Sequence, residues 1–134
     1  MAYPPPPQFT TLFRQAAASV PSVNGRFLKC SATNFGEEGW CLAYAAAAVA
    51  LEEGAALLAP VLSVLEAGFA STDENLSFHL LEGFSESLVY QLRGKPGGVA
   101  VIRELEGYFG PDGREAWRTA LEYIGVDEPT SNGA

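Results

Sequence analysis

Positive charge is scarce in this sequence and unevenly placed. The chain has eight lysines and arginines against sixteen aspartates and glutamates, which gives a formal net charge of −8. None of those eight basic residues lies between residues 31 and 92. Proteins that bind a phosphate backbone gather Lys and Arg on one face, so the composition argues against nucleic acid as a ligand.

Reactive side chains are scarce as well. The chain has one histidine, His79, and two cysteines, Cys30 and Cys41. Because a catalytic or zinc site needs several convergent groups, we expect no catalytic residues, no metal and no cofactor. Two cysteines without a second pair are more typical of small apolar side chains than of a disulfide, so we expect Cys30 and Cys41 to be unpaired. The alternative is a small enzyme or metal protein centred on His79 and nearby carboxylates.

Long hydrophobic runs are missing too. The most apolar stretch, residues 40–51, has twelve residues, whereas a membrane-spanning helix needs about twenty. The first residues lack the basic and apolar regions of a secretory signal. We therefore expect a cytoplasmic protein with no membrane partner.

The apolar residues that are present recur at helical spacing. With 134 residues and 48% hydrophobic side chains, the chain can build one core without a metal or a disulfide. Apolar stripes of helical period run through residues 8–20, 58–69, 76–92, 102–109 and 117–124, and residues 37–53 are apolar around most of the helix circumference. They predict an all-α, single-domain bundle of about six helices over residues 9–125, with a proline-rich arm (1–8) and a disordered tail (126–134).

Helix ends are marked by turn and capping residues. Pro21 is expected to end the first helix, and residues 26–33 alternate weakly enough to be an extended connector or an edge strand. Ser71 with Glu74 predicts a capping box at the start of the fourth helix. Residues 111–115 predict another capping box before the last helix.

Two segments of the chain are similar to each other. Residues 64–69 read VLEAGF and residues 80–84 read LLEGF. This similarity is typical of a HEAT-like helical hairpin, and equally of chance likeness between two amphipathic helices.

The acidic charge is concentrated in the middle of the chain. Residues 30–92 carry nine acidic residues and no lysine or arginine, a net charge of −9, whereas the remainder carries +1. An ordinary solvated face normally mixes both signs, and a surface of one sign steers a partner of the opposite sign. The pattern leaves two interpretations open, solubility or a basic partner.

Two stretches of this acidic block are candidates for partner contact. In the fourth predicted helix, a spacing of 100° per residue places Asn75, His79, Glu82, Glu86 and Tyr90 opposite the apolar stripe. The segment ahead of the alanine-rich helix combines acids, glycines and aromatics, which is typical either of a contact loop or of a staple formed by Phe35 and Trp40. The predicted partner-binding residues are Glu37, Glu38, Trp40, Asp73, Glu74, His79, Glu82, Glu86 and Tyr90.

The order of elements also resembles a known group of proteins. The segment VLEAGF followed by TDENLSFHLLEGFSESL is similar to a loosely defined family of small acidic all-helical bacterial proteins of the immunity-protein type. The likeness extends over about residues 9–124. The matching positions are Asp73, Asn75, Leu76, Phe78, Leu81, Glu82 and Phe84. The resemblance implies no catalytic residues.

These observations lead to one functional expectation and one alternative. We expect a non-catalytic immunity protein that binds and neutralises a cognate bacterial toxin through an acidic surface. The alternative is an adaptor, an effector chaperone or a phage-encoded inhibitor that binds another basic protein. Both predict the same acidic face, and the oligomeric state stays open.

Overall fold

The chain folds into an all-α bundle, as predicted. The computed structural model describes residues 7–34 and 36–126, and these contain no strand. The helices are α1 (Pro7–Ala18), α2 (Pro21–Ser31), α3 (Glu38–Glu53), α4 (Ala59–Phe69), α5 (Glu74–Phe78), α6 (Ser87–Arg93), α7 (Gly98–Glu106) and α8 (Pro111–Ile124). A 3₁₀ turn (Ala55–Leu58) precedes α4, and a π-helical stretch (His79–Glu86), called here the π segment, joins α5 to α6.

Some predictions concern residues outside this description. The proline-rich arm lies outside it apart from Pro7 and Gln8, and the predicted tail lies outside it apart from Val126. Phe35, one half of the predicted staple, is also outside the described residues. Counting α5, the π segment and α6 as one continuous run, the described chain has seven helices where about six were expected.

The additional helix is α2, where the prediction of an extended connector at residues 26–33 was wrong. Val20 is extended (φ −133°, ψ 115°), and Pro21 stands in the first turn of α2. Proline is favoured there because its fixed φ suits a helix and its missing N–H has no intrahelical partner to lose. Val23 and Phe27, four residues apart, are both fully buried. Pro21 therefore begins a helix, whereas we had expected it only to end one.

The alanine-rich helix α3 lies at the centre of the bundle, where the prediction for residues 37–53 is confirmed to within one residue. Five of its alanines are buried, at positions 43, 45, 46, 47 and 50. Small side chains allow neighbouring helices to approach closely, and α1, α2, α6 and the π segment all contact α3. The helix ends at Gly54, whose φ of +116° is a conformation that glycine adopts readily.

The start of α8 is capped from a distance, so the capping box predicted at residues 111–115 was wrong. Gly110 occupies the N-cap position and offers no side chain. Instead, Glu66 of α4 accepts hydrogen bonds from the N–H groups of Asp112 (2.9 Å) and Gly113 (3.0 Å). A carboxylate at a helix N-terminus satisfies otherwise unpaired donors and complements the helix dipole.

The cap of α5 also differs from the prediction. Asp73, not Ser71, is the N-cap residue, and its Oδ1 accepts from the N–H groups of Asn75 (3.0 Å) and Leu76 (3.3 Å). Ser71 Oγ accepts a hydrogen bond from the N–H of Asp73 at 3.0 Å, which holds the preceding turn. Either residue type suits an N-cap, so the sequence alone did not distinguish the two positions.

The two similar segments pack against each other. A Cβ atom placed on Gly68 would lie 2.5 Å from Cδ1 of Leu80, so the glycine makes room for that leucine. The HEAT-like character of this pair stays a prediction.

Candidate binding site

A pocket of about 260 Å³ lies where the start of α3 meets the π segment. We call it the acidic pocket, because Glu37 and Glu82 both line it. The segment before α3 and its first turn supply Gly36, Glu37, Gly39 and Trp40, and the other wall consists of Phe78, His79, Glu82, Gly83 and Ser87. Phe13 of α1 completes the lining.

One glycine, Gly39, sets the close approach of these walls. A Cβ atom on Gly39 would lie 3.3 Å from both the carbonyl carbon and the carbonyl oxygen of Gly83, and 3.2 Å from Cζ of Phe13. Those distances are tighter than ordinary van der Waals contact. The first turn of α3 therefore rests directly on the backbone of the π segment, which brings Glu37 and Glu82 to one pocket.

The π segment changes which residues face the core. Its i→i+5 hydrogen bonding widens the turn, and π-helical insertions are frequent at functional sites. Leu80, Phe84 and Leu88 are buried as the helical period predicts, but Ser85 and Val89 are buried as well. Phe78 is turned outward, with 55% of its surface exposed at the rim of the pocket. Straight helical spacing could not indicate this shift.

The acidic pocket unites four of the nine predicted contact residues. Glu37, Trp40, His79 and Glu82 all line it, although they come from two stretches about forty positions apart. Trp40 is 38% exposed and stacks on Tyr44 of the next turn, with ring centroids 5.7 Å apart and planes at 14°. The pocket thus combines two carboxylates with an imidazole and exposed aromatic rings.

The other five predicted residues have different surroundings. Glu38 is only 8% exposed, and its Oε2 has no hydrogen-bond partner among the residues that the structure describes, so it is not the surface carboxylate that we expected. Asp73 is committed to capping α5. Glu74 is exposed in the first turn of α5 and does not line the pocket. Tyr90 lies under the guanidinium of Arg93, 4.8 Å from the ring centroid, and is also outside the pocket.

Glu86, the last of the five, extends the negative field of the pocket. Burial is the main cause that raises the pKa of Glu86, and the carboxylate of Glu82 raises it further. Glu86 is therefore partly desolvated and is repelled by the negative charge of Glu82. A cation bound beside them would relieve this repulsion.

The acidic block is not one continuous face, which corrects a prediction made from the sequence. At the far end of α3, Glu52 forms an ion pair with Arg26 (3.0 Å), and Glu53 accepts a hydrogen bond from Ser22 (3.5 Å). A rise of 1.5 Å per residue separates that end from Glu37 by roughly 22 Å. Glu66 is used to cap α8. Only part of the −9 charge therefore surrounds the pocket.

Cys30 and Cys41 form a disulfide, so the expectation that they are unpaired was wrong. Their Cα atoms are 5.6 Å apart, and the bond joins the end of α2 to the first turn of α3. It closes the segment that carries Glu37 and Trp40, and it fixes that segment to the bundle. This pairing was not predicted because the spacing of the two cysteines does not reveal how α2 turns back onto α3.

Sequence reasoning also missed several members of the site. Gly39 could have been noticed, because glycine inside a helix is unfavourable and often marks a close approach. The spacing of Trp40 and Tyr44, four residues apart, was a further available signal. Phe78 was assigned only to the resemblance, and nothing in the sequence indicated that it reaches the pocket.

Comparisons with known proteins do not add to this description. No family model, no curated protein and no solved structure matches the chain. Among the described residues, no group of three or more His, Cys, Asp and Glu side chains is placed to hold a metal ion. In the same part of the chain, no helix has both the length and the apolar character that crossing a bilayer requires.

Proposed function

We propose that this protein is a non-catalytic binding protein whose acidic pocket takes a basic side chain of a partner protein. We further propose that the partner is a bacterial toxin and that binding neutralises it, as an immunity protein does. The observation that carries the proposal is the convergence of Glu37 and Glu82, from two separate elements, on one pocket beside Trp40.

The chemistry of the pocket suits a lysine or an arginine of the partner. Two carboxylates within one small concave site attract a cation, and the exposed faces of Trp40 and Phe78 add aromatic surface beside them. Interfaces concentrate their binding free energy in a few aromatic and charged residues of this kind. Electrostatic attraction of this sort also accelerates association.

The pocket is held rigidly before any partner arrives. The disulfide fixes the first turn of α3 to α2, and the Gly39–Gly83 contact fixes the same turn to the π segment. Rigid sites lose less conformational entropy on binding, which favours tight association. This rigidity supports a binding function, and tight neutralisation in particular.

We keep a cytoplasmic location as part of the proposal, and an oxidising compartment is the alternative that the disulfide favours. Such bonds persist in oxidising compartments and are reduced in the cytosol. Alkylation of the protein as it is isolated from its native cell, followed by mass spectrometry, decides between the two. Two alkylated cysteines support the cytoplasm, whereas an intact Cys30–Cys41 bond supports an oxidising compartment.

The test is co-expression with the product of the neighbouring gene. If that product is a toxin, the protein should restore growth of the host cell and co-purify with the toxin. The double variant Glu37→Lys with Glu82→Lys should lose both effects. A matched control, Glu104→Lys with Glu115→Lys, makes the same change in net charge on exposed residues of α7 and α8 and should retain them.

The salt dependence of binding provides a second measurement. Association of the wild type should slow as ionic strength rises, because screening weakens the attraction between the pocket and its basic partner. Growth rescue without the two pocket carboxylates would refute the site. Binding without any rescue would favour an adaptor, chaperone or inhibitor over an immunity protein.

A further inference from the structure

A second and larger cavity lies in the groove between α2 and α3. Its volume is about 740 Å³, within the range of sites that hold small molecules. One wall is the face of α2 that carries Gly25, Arg26 and Lys29, and the other carries Trp40 and Tyr44 of α3. The groove is therefore lined by cations on one side and by aromatic rings on the other.

The aromatic wall is open to solvent. The rings of Trp40 and Tyr44 are nearly parallel, at 14°, and the two residues are 38% and 42% exposed. Aromatic rings bury large areas when they pack against other rings. This wall suits a planar aromatic ligand.

The cationic wall offers donors that the described part of the chain does not use. Lys29 forms no ion pair with the residues that the structure describes. Arg26 contacts both carboxylate oxygens of Glu52 through Nη2 alone, at 3.0 Å each, so Nη1 and Nε make no hydrogen bond within the described chain. These donors suit an anionic group on the ligand.

Gly25 lines the groove and adds no side chain to it. It lies in the interior of α2, although glycine is among the poorest helix formers. Its backbone does not require glycine, because its φ is not positive, and a Cβ atom there would meet nothing within 4 Å. Neither packing nor backbone geometry explains the residue, whereas its missing side chain leaves the groove open.

We infer that this groove binds a small planar aromatic anion, that is, an aromatic ring that bears a carboxylate. The ring packs against the stacked pair of Trp40 and Tyr44, and the carboxylate lies beside Lys29. The ligand has the opposite charge from the side chain that we assign to the acidic pocket. The inference therefore does not depend on the proposed function.

The two tryptophans allow a direct test with 2-naphthoate as the probe. In a nitrogen-15 NMR spectrum of the full chain, each tryptophan gives one indole N–H signal. Trp117 is fully buried, and its N–H donates to the carbonyl of Ile102 at 3.2 Å, so its signal serves as an internal reference. Naphthoate should shift the Trp40 signal and leave the Trp117 signal in place. The neutral isostere 2-naphthamide should bind about tenfold more weakly, because it lacks the charged hydrogen bond.

Matched variants localise the binding. Lys29→Gln should weaken naphthoate binding by about tenfold, whereas Lys95→Gln, which alters the other lysine of the chain, should not change it. Gly25→Leu should fill the groove and abolish the shift, whereas Ala100→Leu places the same side chain at an exposed position of α7 and should have no effect.

Three results would overturn the inference. They are a Trp40 signal that does not move, naphthamide binding as tightly as naphthoate, and a shift that persists in both Gly25→Leu and Lys29→Gln. Glu82→Gln removes a carboxylate that lines the acidic pocket but not the groove, so it should leave naphthoate binding unchanged. Because Glu82 repels an anion, binding that this variant strengthens would place the probe in the acidic pocket and would also overturn the inference.

Discussion

The two tryptophans mark regions of the molecule with opposite character. Around Trp117, the polar groups are paired and the rings are enclosed: its N–H reaches Ile102, its ring lies 5.1 Å from Phe109, and Phe109 packs edge-on against Phe69. Around Trp40, aromatic rings are exposed and carboxylates stand close together. The first arrangement maximises stability, whereas the second leaves surface and charge available to a partner.

The glutamates show the same contrast. The carboxylate of Glu66 accepts hydrogen bonds from two backbone N–H groups of α8, close to the Trp117 cluster. Glu82 lines a pocket and repels Glu86. One residue type therefore stabilises the fold in one region and is held in an unfavourable electrostatic setting in the other. Natural proteins accept such costs chiefly where function requires them.

The largest difference in stability is expected between variants of the two tryptophans. Trp117→Ala should lower the free energy of unfolding by about 4 kcal/mol, because it empties a buried site and leaves the Ile102 carbonyl without its donor. Trp40→Ala removes a partly exposed ring and should lower it by less than about 1 kcal/mol. Urea denaturation measures both values. Equal losses would show that the Trp40 region is part of the structural core.

Loss of the disulfide should have the second-largest effect on stability, because this bond is the main constraint on the Trp40 region. The bond closes a loop with a sequence separation of 11, and its loss should lower stability by about 3 kcal/mol through the entropy of the unfolded chain. For a domain of this size, that corresponds to a fall in Tm of roughly 10 °C. Thermal unfolding with and without dithiothreitol measures it.

A matched variant controls for other effects of the reductant. The double variant Cys30→Ala with Cys41→Ala should unfold at the lower temperature under both conditions. If reduction leaves the Tm of the wild type unchanged, the first turn of α3 is held by packing alone.

The contrast between local and long-range interactions explains which parts of the fold could be predicted from the sequence. Helices whose stability comes from regular burial, such as α3 and α4, follow from the spacing of apolar residues. The long-range feature that caps α8 does not, because Glu66 and Gly113 are 47 positions apart and no local pattern connects them. Local rules therefore placed a capping box where a distant carboxylate is used.

The candidate site was predicted only in part, because its residues also come from distant parts of the chain. Composition and spacing identified Glu37, Trp40, His79 and Glu82 as available side chains, but not that α3 and the π segment would bring them together. That convergence depends on the Gly39–Gly83 contact and on a π-helical register that 100° spacing cannot represent. The disulfide between Cys30 and Cys41 was missed because pairing depends on the path of α2.

Removal of a single carboxylate should change the free energy of unfolding differently in the two regions, by less than the changes expected above. Glu66→Ala should lower the free energy of unfolding by about 2 kcal/mol, because two N–H groups of α8 lose their acceptor and the helix loses a favourable charge. Glu82→Ala should leave stability unchanged or raise it slightly, since it relieves repulsion with Glu86. Chemical denaturation near neutral pH compares them. A larger loss for Glu82→Ala would assign that carboxylate a structural role.

The smallest effect is expected from the pH dependence of Glu86. Its pKa in the folded protein is raised by burial and by Glu82, so the folded state holds the proton more tightly than the unfolded chain does. The contribution of Glu86 to stability is therefore greatest at low pH and is lost as the pH rises through the raised pKa. Glu86→Gln should stabilise the protein at about pH 7 but not at about pH 4, whereas the exposed control Glu104→Gln should show no such difference. Urea unfolding at both pH values is the measurement. The measurement can be repeated with a basic partner bound. A neighbouring cation returns the pKa of Glu86 toward its ordinary value, so Glu86→Gln should then no longer stabilise the protein at neutral pH. That result would show that the partner binds close to Glu86.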